Sequence, residues 1–322
     1  MIITVTPNPA LDKLYWVREL SRDPETHLTR AYKSAISPGG KGVNVSLMLA
    51  QLGVESIALG FAAGYTGRVL VSQLREAGVT TDFVWVHGET RTNVVILEEG
   101  REASPIEVDE PGPVVPERAA GQLLRRLERA LRRARYLVLG GSLPPGLPSS
   151  FYEEAVRLAH SRDVKVVINA AGEPLARAMA AGPYLVKPDI RERKEFRGRE
   201  ITDRGRLIEL CKGALAPADS RDRDSGAEAV LISHEITGDL LVTREGVWDF
   251  IAEEVDFKNI VGAEDALVGG IILGLLEGAP LEEAAHLGMA AAIVAAESPK
   301  IVEVDRAKIE QSRAKVKVVK LE

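Results

Sequence analysis

The chain has 322 residues, 45% of them hydrophobic, which is enough for one large α/β domain or two ordinary ones. A formal net charge of -6 gives no reason to expect nonspecific binding to nucleic acid or to a membrane surface. The single cysteine, Cys211, excludes an intrachain disulfide framework and a cysteine-based metal site.

The N-terminal residues run straight into a strand-like segment, without the charged region or cleavage site of a targeting peptide. The longest apolar run, Ala266 to Leu276, is too short to span a bilayer and contains three glycines. We therefore expect a soluble cytoplasmic protein.

Strand-like runs alternate with helical patterns along most of the chain. The predicted strands are Ile2–Thr6, Ser56–Gly60, Tyr136–Leu139, Val164–Ile168, Tyr184–Val186, Ala229–Ser233 and Leu240–Thr243. The predicted helices are Gly42–Leu52, Arg68–Glu76, Glu117–Ala134 and Phe151–Ser161. This alternation predicts an α/β fold, with a doubly wound, mostly parallel sheet and helices on both of its faces.

Two stretches break the alternation, because Lys13–Ile36 and His87–Val108 are β-rich and polar. We expect them to form a small β-sheet that covers the mouth of the main sheet as a lid. No internal repeat is found. The prediction is one domain of residues 1–322, with the lid built from insertions at about 13–36 and 87–108.

The stretch Val261–Asp265 consists of small residues that end in two carboxylates and precede an apolar helix. Such a turn lets backbone N–H groups converge on an anion, and the helix dipole favours negative charge there. Asp265 beside such an anion hole could take a proton from a substrate hydroxyl. The alternative is an ordinary helix entry whose acidic first turn is favoured by the dipole.

Other polar residues follow the predicted strands. Asn8 and Asp12 come after the first strand, Gly141–Gly146 after the strand at 136, Lys187 after the strand at 184, and Ser233 at the end of another. In open α/β sheets, ligands bind outside the carboxyl ends of the strands. The sequence therefore predicts a ligand site at this edge of the sheet.

Taken singly, these residues also have ordinary explanations. Asp12 could cap a helix or a turn, and Gly39-Gly40-Lys41 could be a plain loop, since the Walker A spacing is absent. Arg91 could be a solvated surface residue and Lys187 a surface lysine before a proline. Ser142 could only shape the turn before the two prolines that follow it.

Five segments together resemble the phosphofructokinase B branch of the ribokinase-like sugar kinases, most of all its 1-phosphofructokinases and tagatose-6-phosphate kinases. The segments are Thr6–Asp12, Ser37–Val45, Thr90–Asn93, Gly141–Gly146 and Gly262–Asp265. They occur in the family's order, and the resemblance runs from residue 1 to about residue 300.

The resemblance implies transfer of the γ-phosphoryl group of ATP, with Mg²⁺, to a phosphorylated ketohexose. Fructose 1-phosphate is the favoured acceptor, which gives fructose 1,6-bisphosphate, and a homodimer through the lid is implied. Asp265 would be the general base. The implied substrate-binding residues are Asp12, Gly39, Gly40, Lys41, Asn44, Arg91 and Ser142, with Asn44 donating to a sugar oxygen and Arg91 binding the existing phosphate.

The resemblance also implies an anion hole and a nucleotide site. Their residues would be Gly262, Ala263, Glu264, Lys187, Ser233 and Gly238, with the N–H groups of residues 262–265 facing the γ-phosphate. Asp189 and Glu192 would hold Mg²⁺ through water molecules.

Several positions depart from the family pattern. Glu264 stands where a glycine is expected, His234-Glu235 replaces a leucine and a glycine, and Asp189 replaces an asparagine; the expected Asp-x-Ser-Gly is Asn169-Ala170-Ala171-Gly172. At a position that requires positive φ, Glu264 would cost on the order of 1–2 kcal/mol. Its carboxylate about 5 Å from a phosphate charge would cost about 3 kcal/mol. A catalytically impaired sugar-phosphate-binding protein is therefore the alternative hypothesis.

Overall fold

A computed structural model describes residues 1–21, 25, 28–190, 194–196, 198–216 and 226–322. The described residues form an 11-stranded main sheet, a 4-stranded second sheet and a two-stranded hairpin of β12 Glu195–Phe196 and β13 Arg199–Glu200. The predicted α/β fold with a mostly parallel, doubly wound sheet is confirmed.

The main sheet has the strand order β17-β16-β15-β14-β11-β10-β9-β1-β4-β5, and β6 also pairs with β4. Its strands are β1 Ile2–Thr6, β4 Ser56–Ala63, β5 Thr80–Thr81, β6 Val84–Val86, β9 Tyr136–Gly140, β10 Lys165–Ala170, β11 Leu185–Pro188, β14 Ala229–Glu235, β15 Gly238–Val242, β16 Val247–Ala252 and β17 Val316–Lys320. The strands from β4 to β14 are parallel, whereas β15, β16 and β17 extend the sheet as antiparallel strands.

Nine α-helices lie in the described part of the chain: α1 Lys41–Gln51, α2 Gly64–Glu76, α3 Glu117–Leu131, α4 Phe151–His160, α5 Gly172–Ala180, α6 Arg204–Lys212, α7 Ala263–Leu276, α8 Leu281–Ala296 and α9 Arg306–Ser312. None of them is long and apolar enough to cross a membrane.

Side-chain alternation divides the interior into two cores, one on each face of the main sheet. In β1, Ile2 packs into the core that contains α1, α7 and α8, whereas Ile3 packs into the core that contains α3, α4 and α5. The buried strands are apolar on both faces, as parallel strands covered by helices require. Leu185 and Lys187 in β11 point to the same face, so Lys187 lies on the side of α7.

The sheet reverses its winding direction between β1 and β9. From β1 the chain proceeds outward to β4, and it later returns to place β9 on the other side of β1. A crevice therefore opens where the loops after β1 and β9 separate, and this is where α/β sheets bind ligands. The loops after these strands contain Asn8 and Ser142.

The sheet predicted to act as a lid has four strands, in the order β3-β2-β7-β8; it is called the lid below. Its strands are β2 Ala10–Val17, β3 Ala31–Gly39, β7 Arg91–Glu98 and β8 Ile106–Val108. The first insertion, predicted at about 13–36, is longer, because β2 and β3 stay paired to Ala10 and Gly39. The lid thus includes Asp12, and residues 22–24 and 26–27 of the predicted lid lie outside the described residues.

Six strands and four helices of the described residues were not predicted from the sequence. The strands are the short β5, β6, β12 and β13, together with β16 and β17, which add to the sheet beyond β15; the helices are α5, α6, α8 and α9. Strands β16 and β17 are short and partly polar, and pairing with a neighbouring strand defines them more than their own pattern does.

Helix α7 is buried on almost every side, and its glycines set how closely it packs. A Cβ atom at Gly270 would lie 2.7 Å from the Cα of Gly288 in α8, and one at Gly274 would lie 2.8 Å from the Cα of Ala284. At Gly269 the nearest atom would be the sulfur of Met48 in α1, at 2.4 Å. These contacts hold α7 close to both α1 and α8.

The packing of α7 can be tested by placing the same methyl group in two helices. Gly270→Ala should lower the free energy of unfolding by about 1–3 kcal/mol, because α7 and α8 must move apart. Gly121→Ala in α3 is the control, since its Cβ would meet only the end of Arg125, at 3.4 Å. The control should be neutral or stabilising by up to about 1 kcal/mol. Equal effects of the two substitutions in urea unfolding would contradict this account.

Candidate active site

The N-termini of α1 and α7 meet at the crevice. Each helix begins after a glycine with positive φ, Gly40 at 108° and Gly262 at 83°, and no side chain caps either end. A Cβ at Gly40 would also come within 2.7 Å of Thr6. Two uncapped helix N-termini at the same place favour the binding of an anion between them, because their N–H groups and helix dipoles both attract negative charge.

Asp265 and Asn44 join the two helices. The Nδ2 of Asn44 donates to the Oδ2 of Asp265 at 2.8 Å, and both side chains are buried. The Oδ1 of Asn44 has no hydrogen-bond partner among the described residues. The Oδ1 of Asn44 is therefore placed to accept a hydrogen bond, and the contact with a sugar oxygen expected from the sequence stays a prediction.

Lys187 is fully buried, although its position before a proline suggested a possible surface residue. Its Nζ donates to the Oγ of Ser233 at 3.1 Å and lies 4.0 Å from Asp239 and 3.6 Å from Glu264. Burial raises the pKa of Asp239, against the opposing effect of Lys187 and a hydrogen bond from Ser233. A buried ammonium group needs such counter-charges, because its desolvation is costly.

Glu264 connects the two lysines of the site. Its Oε2 lies 3.5 Å from the Nζ of Lys41, and its Oε1 lies 3.6 Å from the Nζ of Lys187. Lys41 also pairs with Asp189 at 2.9 Å. Because Glu264 has helical backbone angles, the strain considered from the sequence does not arise; the positive φ belongs to Gly262.

Not every N–H group of the α7 turn points outward. The N–H of Ala263 donates to the carbonyl of Ile260, and the N–H of Asp265 donates to the carbonyl of Gly262, both at 3.1 Å. The four N–H groups expected around a γ-phosphate therefore include two that already have backbone acceptors in this structure.

On the lid side of the crevice, Asp12 is buried and receives a hydrogen bond from Asn93 at 3.0 Å. Burial raises the pKa of Asp12 from 3.8 to about 7, although Arg91 and Asn93 act in the opposite direction. Gly39 makes room for this carboxyl group, since a Cβ there would lie 2.0 Å from its Oδ2. A buried carboxyl group at a crevice suits the hydroxyl groups of a sugar.

Arg91 lies next to Asp12 but is largely engaged by the protein. Its Nε donates to the carbonyl of Asn8 at 3.1 Å, and its Nη1 donates to the carbonyl of Glu110 at 3.2 Å and lies 3.4 Å from Asp109. Only 9% of the residue is exposed, so it is not the solvated surface arginine considered above. The phosphate-binding role assigned to it stays a prediction.

Ser142 is exposed at the crevice and accepts a hydrogen bond from the Nδ2 of Asn8 at 3.2 Å. The Nδ2 of Asn8 also donates to the carbonyl of Pro111, while its buried Oδ1 has no hydrogen-bond partner among the described residues. Asn8 thus ties the loops after β1, β8 and β9 together around the crevice.

A cavity of about 620 Å³ lies on the other side of Glu264, between the β14–β15 hairpin, α7 and α8. Its apolar walls include Val255, Phe257, Met289 and Ile293, and Ser233 and Glu264 line its inner end. An apolar slot that leads to charged groups fits a flat aromatic base with a phosphate tail. Gly238 lies beside it, where a Cβ would come within 2.6 Å of the His234 ring.

The expected Mg²⁺ ligands are only partly covered by the structure, because Glu192 lies outside the described residues. Asp189 and Glu264 both contact Lys41, so two carboxylates converge on this lysine at the start of α1. The described residues contain no cluster of three or more candidate metal-ligating side chains. This donor set fits Mg²⁺ held through waters and phosphate oxygens rather than in an all-protein cage.

The sequence analysis missed several polar contacts of the site. Asp239 is a buried acid in an otherwise apolar strand, which is a signal that could have identified it. His234 bonds to the buried Asp249 at 3.0 Å, and Asp249 also pairs with Arg204. These partners come from separate elements, so sequence spacing could not connect them.

Comparison with known proteins assigns the family. The model of the pfkB family carbohydrate kinases matches residues 8–304. The chain is 34% identical to the 1-phosphofructokinase of Bacillus subtilis (strain 168), over 90% of each protein. It is 30% identical to the D-tagatose-1-phosphate kinase of Bacillus licheniformis, over the full length of both.

Comparison with solved structures supports the same family. The crystal structure of a possible 1-phosphofructokinase from Thermotoga maritima superposes with a TM-score of 0.90 at 33% identity, with full coverage of both chains. A fold and a site of this kind belong to sugar kinases. The chain is a member of the pfkB family of carbohydrate kinases, and the family resemblance found in the sequence is confirmed.

The raised pKa of Asp12 predicts a pH effect on stability. Above about pH 4 the carboxyl group is ionised in the unfolded chain, whereas the folded protein keeps its proton until about pH 7. Unfolding therefore releases a proton in this window, and stability falls as the pH rises through it. Asp12→Asn should remove this loss, which is on the order of 2–4 kcal/mol.

Urea unfolding gives the free energy of unfolding at about pH 5 and at about pH 8. The change between these two pH values is then compared for the unsubstituted chain and the Asp12→Asn variant. Asp163→Asn, at an exposed turn before β10, serves as the control and should keep the original pH dependence. The same pH dependence in Asp12→Asn as in the unsubstituted chain would disprove the assignment.

Proposed function

We propose that the protein transfers the γ-phosphoryl group of ATP to a ketohexose 1-phosphate. Fructose 1-phosphate is the favoured acceptor, which gives fructose 1,6-bisphosphate. The observation that carries the proposal is the buried Asp265 in the first turn of α7, hydrogen-bonded to Asn44 and one residue from the carboxylate that contacts Lys41 and Lys187.

In this reaction Asp265 accepts the proton of the sugar hydroxyl as its oxygen forms a bond to the γ-phosphorus. The bond between the γ-phosphorus and the β–γ bridging oxygen breaks, and ADP leaves. Asn44 holds the Oδ2 of Asp265, so the other carboxylate oxygen can face the hydroxyl. Positioning of this kind, together with charge stabilisation, supplies most of the catalysis in phosphoryl transfer.

Charge on the transferring phosphoryl group would be balanced by Lys41, Lys187 and the two helix N-termini. Bound Mg²⁺ would neutralise phosphate charge, with Asp189 as the described residue best placed to hold it through water. The apolar slot between α7 and α8 would exclude water from the adenine base of ATP.

The lid would hold the acceptor. Asp12 and Asn93 offer polar groups to the sugar hydroxyls, and Arg91 places a positive charge beside Asp12. The names of the two relatives, 1-phosphofructokinase and D-tagatose-1-phosphate kinase, both support an acceptor that already has a phosphate on C1. Fructose and tagatose differ only at C4, so a small change among the lid residues can decide between them.

The alternative, a sugar-phosphate-binding protein with impaired transfer, rests on Glu264 and Glu235, which stand where glycines are expected, and Glu264 is the nearer to the lysines. Its carboxylate stands between two lysines that should bind phosphate. We favour the active kinase, because Asp265, Asn44, both lysines and the lid residues are all in place and Glu264 causes no backbone strain.

We also propose a homodimer through the outer face of the lid. Paired positions across β3, β2, β7 and β8 place Ile36, Lys13, Val94 and Val108 in one row and Ser34, Tyr15, Ile96 and Ile106 in the next, so most of these positions are apolar. Ile36 is 48% exposed and Val108 is 58% exposed. An apolar sheet face of this kind is favourable to cover with a second copy. The expected cytoplasmic location stays a prediction.

The kinase proposal predicts one acceptor and one base. ADP release from Mg-ATP should be measured with fructose 1-phosphate, tagatose 1-phosphate, fructose 6-phosphate and tagatose 6-phosphate. Turnover should be highest with fructose 1-phosphate, and Asp265→Asn should lower kcat by about 100-fold or more, because the proton has no acceptor. Asp163→Asn, the same substitution at the opposite edge of the sheet, should leave turnover unchanged. No turnover with any acceptor would favour the binding protein.

The dimer predicts a loss of association when charge is placed on the lid face. Ile36→Lys combined with Val108→Lys should give a monomer at micromolar concentrations at which the unsubstituted chain is a dimer, since buried unpaired charges are costly. Val318→Lys, at a partly exposed position of β17, is the control. Sedimentation velocity distinguishes the two states, and an unchanged dimer in the double variant would exclude this interface.

A further inference from the structure

The carboxylate of Glu264 occupies the position between two lysines in the manner of a bound anion. Each oxygen faces one ammonium group, Oε2 toward Lys41 at 3.5 Å and Oε1 toward Lys187 at 3.6 Å. A phosphate group held by the same lysines would present its oxygens to them in the same way. The side chain of Glu264 is 29% exposed, so it has solvent to move into, whereas Lys187 is fully enclosed.

The surroundings of Lys187 explain why the protein would keep this carboxylate. Lys187 has no exposed surface, and its other polar neighbours within the described part of the chain are the hydroxyl of Ser233 and the carboxyl group of Asp239, 4.0 Å away. Burial raises the pKa of Asp239, which weakens it as a counterion. Glu264 therefore supplies negative charge that a buried ammonium group requires.

Phosphate binding changes this balance. A polyphosphate chain that reaches Lys41 and Lys187 brings several negative charges to within contact distance of Glu264. Like charges so close together are strongly unfavourable in a partly buried site. The carboxylate must leave the lysines as the phosphate arrives, and it can return when the phosphate leaves.

We propose that Glu264 is an internal competitor for the phosphate-binding lysines, and that its exchange with the polyphosphate chain of the nucleotide weakens nucleotide binding and favours product release. The assignment rests on the proposed kinase function only in identifying the polyphosphate as part of a nucleotide. Glu264 takes no part in the bond changes in this scheme.

Binding of inorganic tripolyphosphate tests the exchange without any turnover. Calorimetry in a buffer without other multivalent anions or Mg²⁺ would compare the unsubstituted chain with Glu264→Gln. We expect the variant to bind tripolyphosphate at least about tenfold more tightly, because the carboxylate that contacts both lysines no longer competes with the phosphate. Without tripolyphosphate the variant should unfold at a lower temperature, because Lys187 has lost a counter-charge.

These two changes have opposite signs, which simple structural damage would not produce, since damage weakens both folding and binding. Glu235→Gln is the matched control: its carboxylate lines the same cavity, is 73% exposed and makes its described ion-pair contact with His234. The control should change tripolyphosphate affinity by less than about twofold. Glu264→Gly provides a second variant in case the glutamine form does not fold.

Equal or weaker tripolyphosphate binding by the Glu264 variants would overturn the proposal. An equal gain in Glu235→Gln would also overturn it, because the effect would then be one of general charge and not of exchange at the lysines. Tighter tripolyphosphate binding without kinase turnover on any acceptor would uphold the exchange and reject the kinase function, so the two proposals fail separately.

Discussion

The contact between the first turns of α1 and α7 is the constraint on which the site depends. Both helices start after a glycine with positive φ, and their uncapped ends are brought together by the close packing of α7 on α1 and α8. This contact places Asn44 against Asp265 and Lys41 against Glu264. Backbone conformation, helix packing and side-chain chemistry therefore meet at one point, and a shift of α7 would disturb all of them.

The balance between lysines and carboxyl groups is the second constraint on the site. Lys187 is buried at the end of β11, and three carboxyl groups lie around it and Lys41: those of Asp189, Asp239 and Glu264. In a buried setting such pairs contribute little net stability, but removing one partner is costly. The arrangement makes chemical sense if the carboxyl groups balance the lysines until substrate phosphates take their place.

Sequence reasoning located most of the parallel sheet, because buried parallel strands and the helices between them have strong patterns. The sequence patterns were less informative for strands whose existence or length depends on pairing with an adjacent strand, as in β16, β17 and the ends of the lid strands. The glycines before the predicted helices were informative at the site, because Gly40 and Gly262 have positive φ angles, which favour this residue. The resemblance to a family added what spacing alone left open, namely which polar residues act together.

The sequence by itself determined the fold class and the family and predicted where the site lies, since hydrophobic periodicity and the order of the motifs can be read along the chain. Only the tertiary structure decided what Glu264 contacts, which way Asn44 presents its amide, that Lys187 is fully enclosed, and that Asp12 is buried enough to raise its pKa to about 7. Each of these depends on residues far apart in the chain, and electrostatic energies depend on distance and burial, which a sequence does not contain.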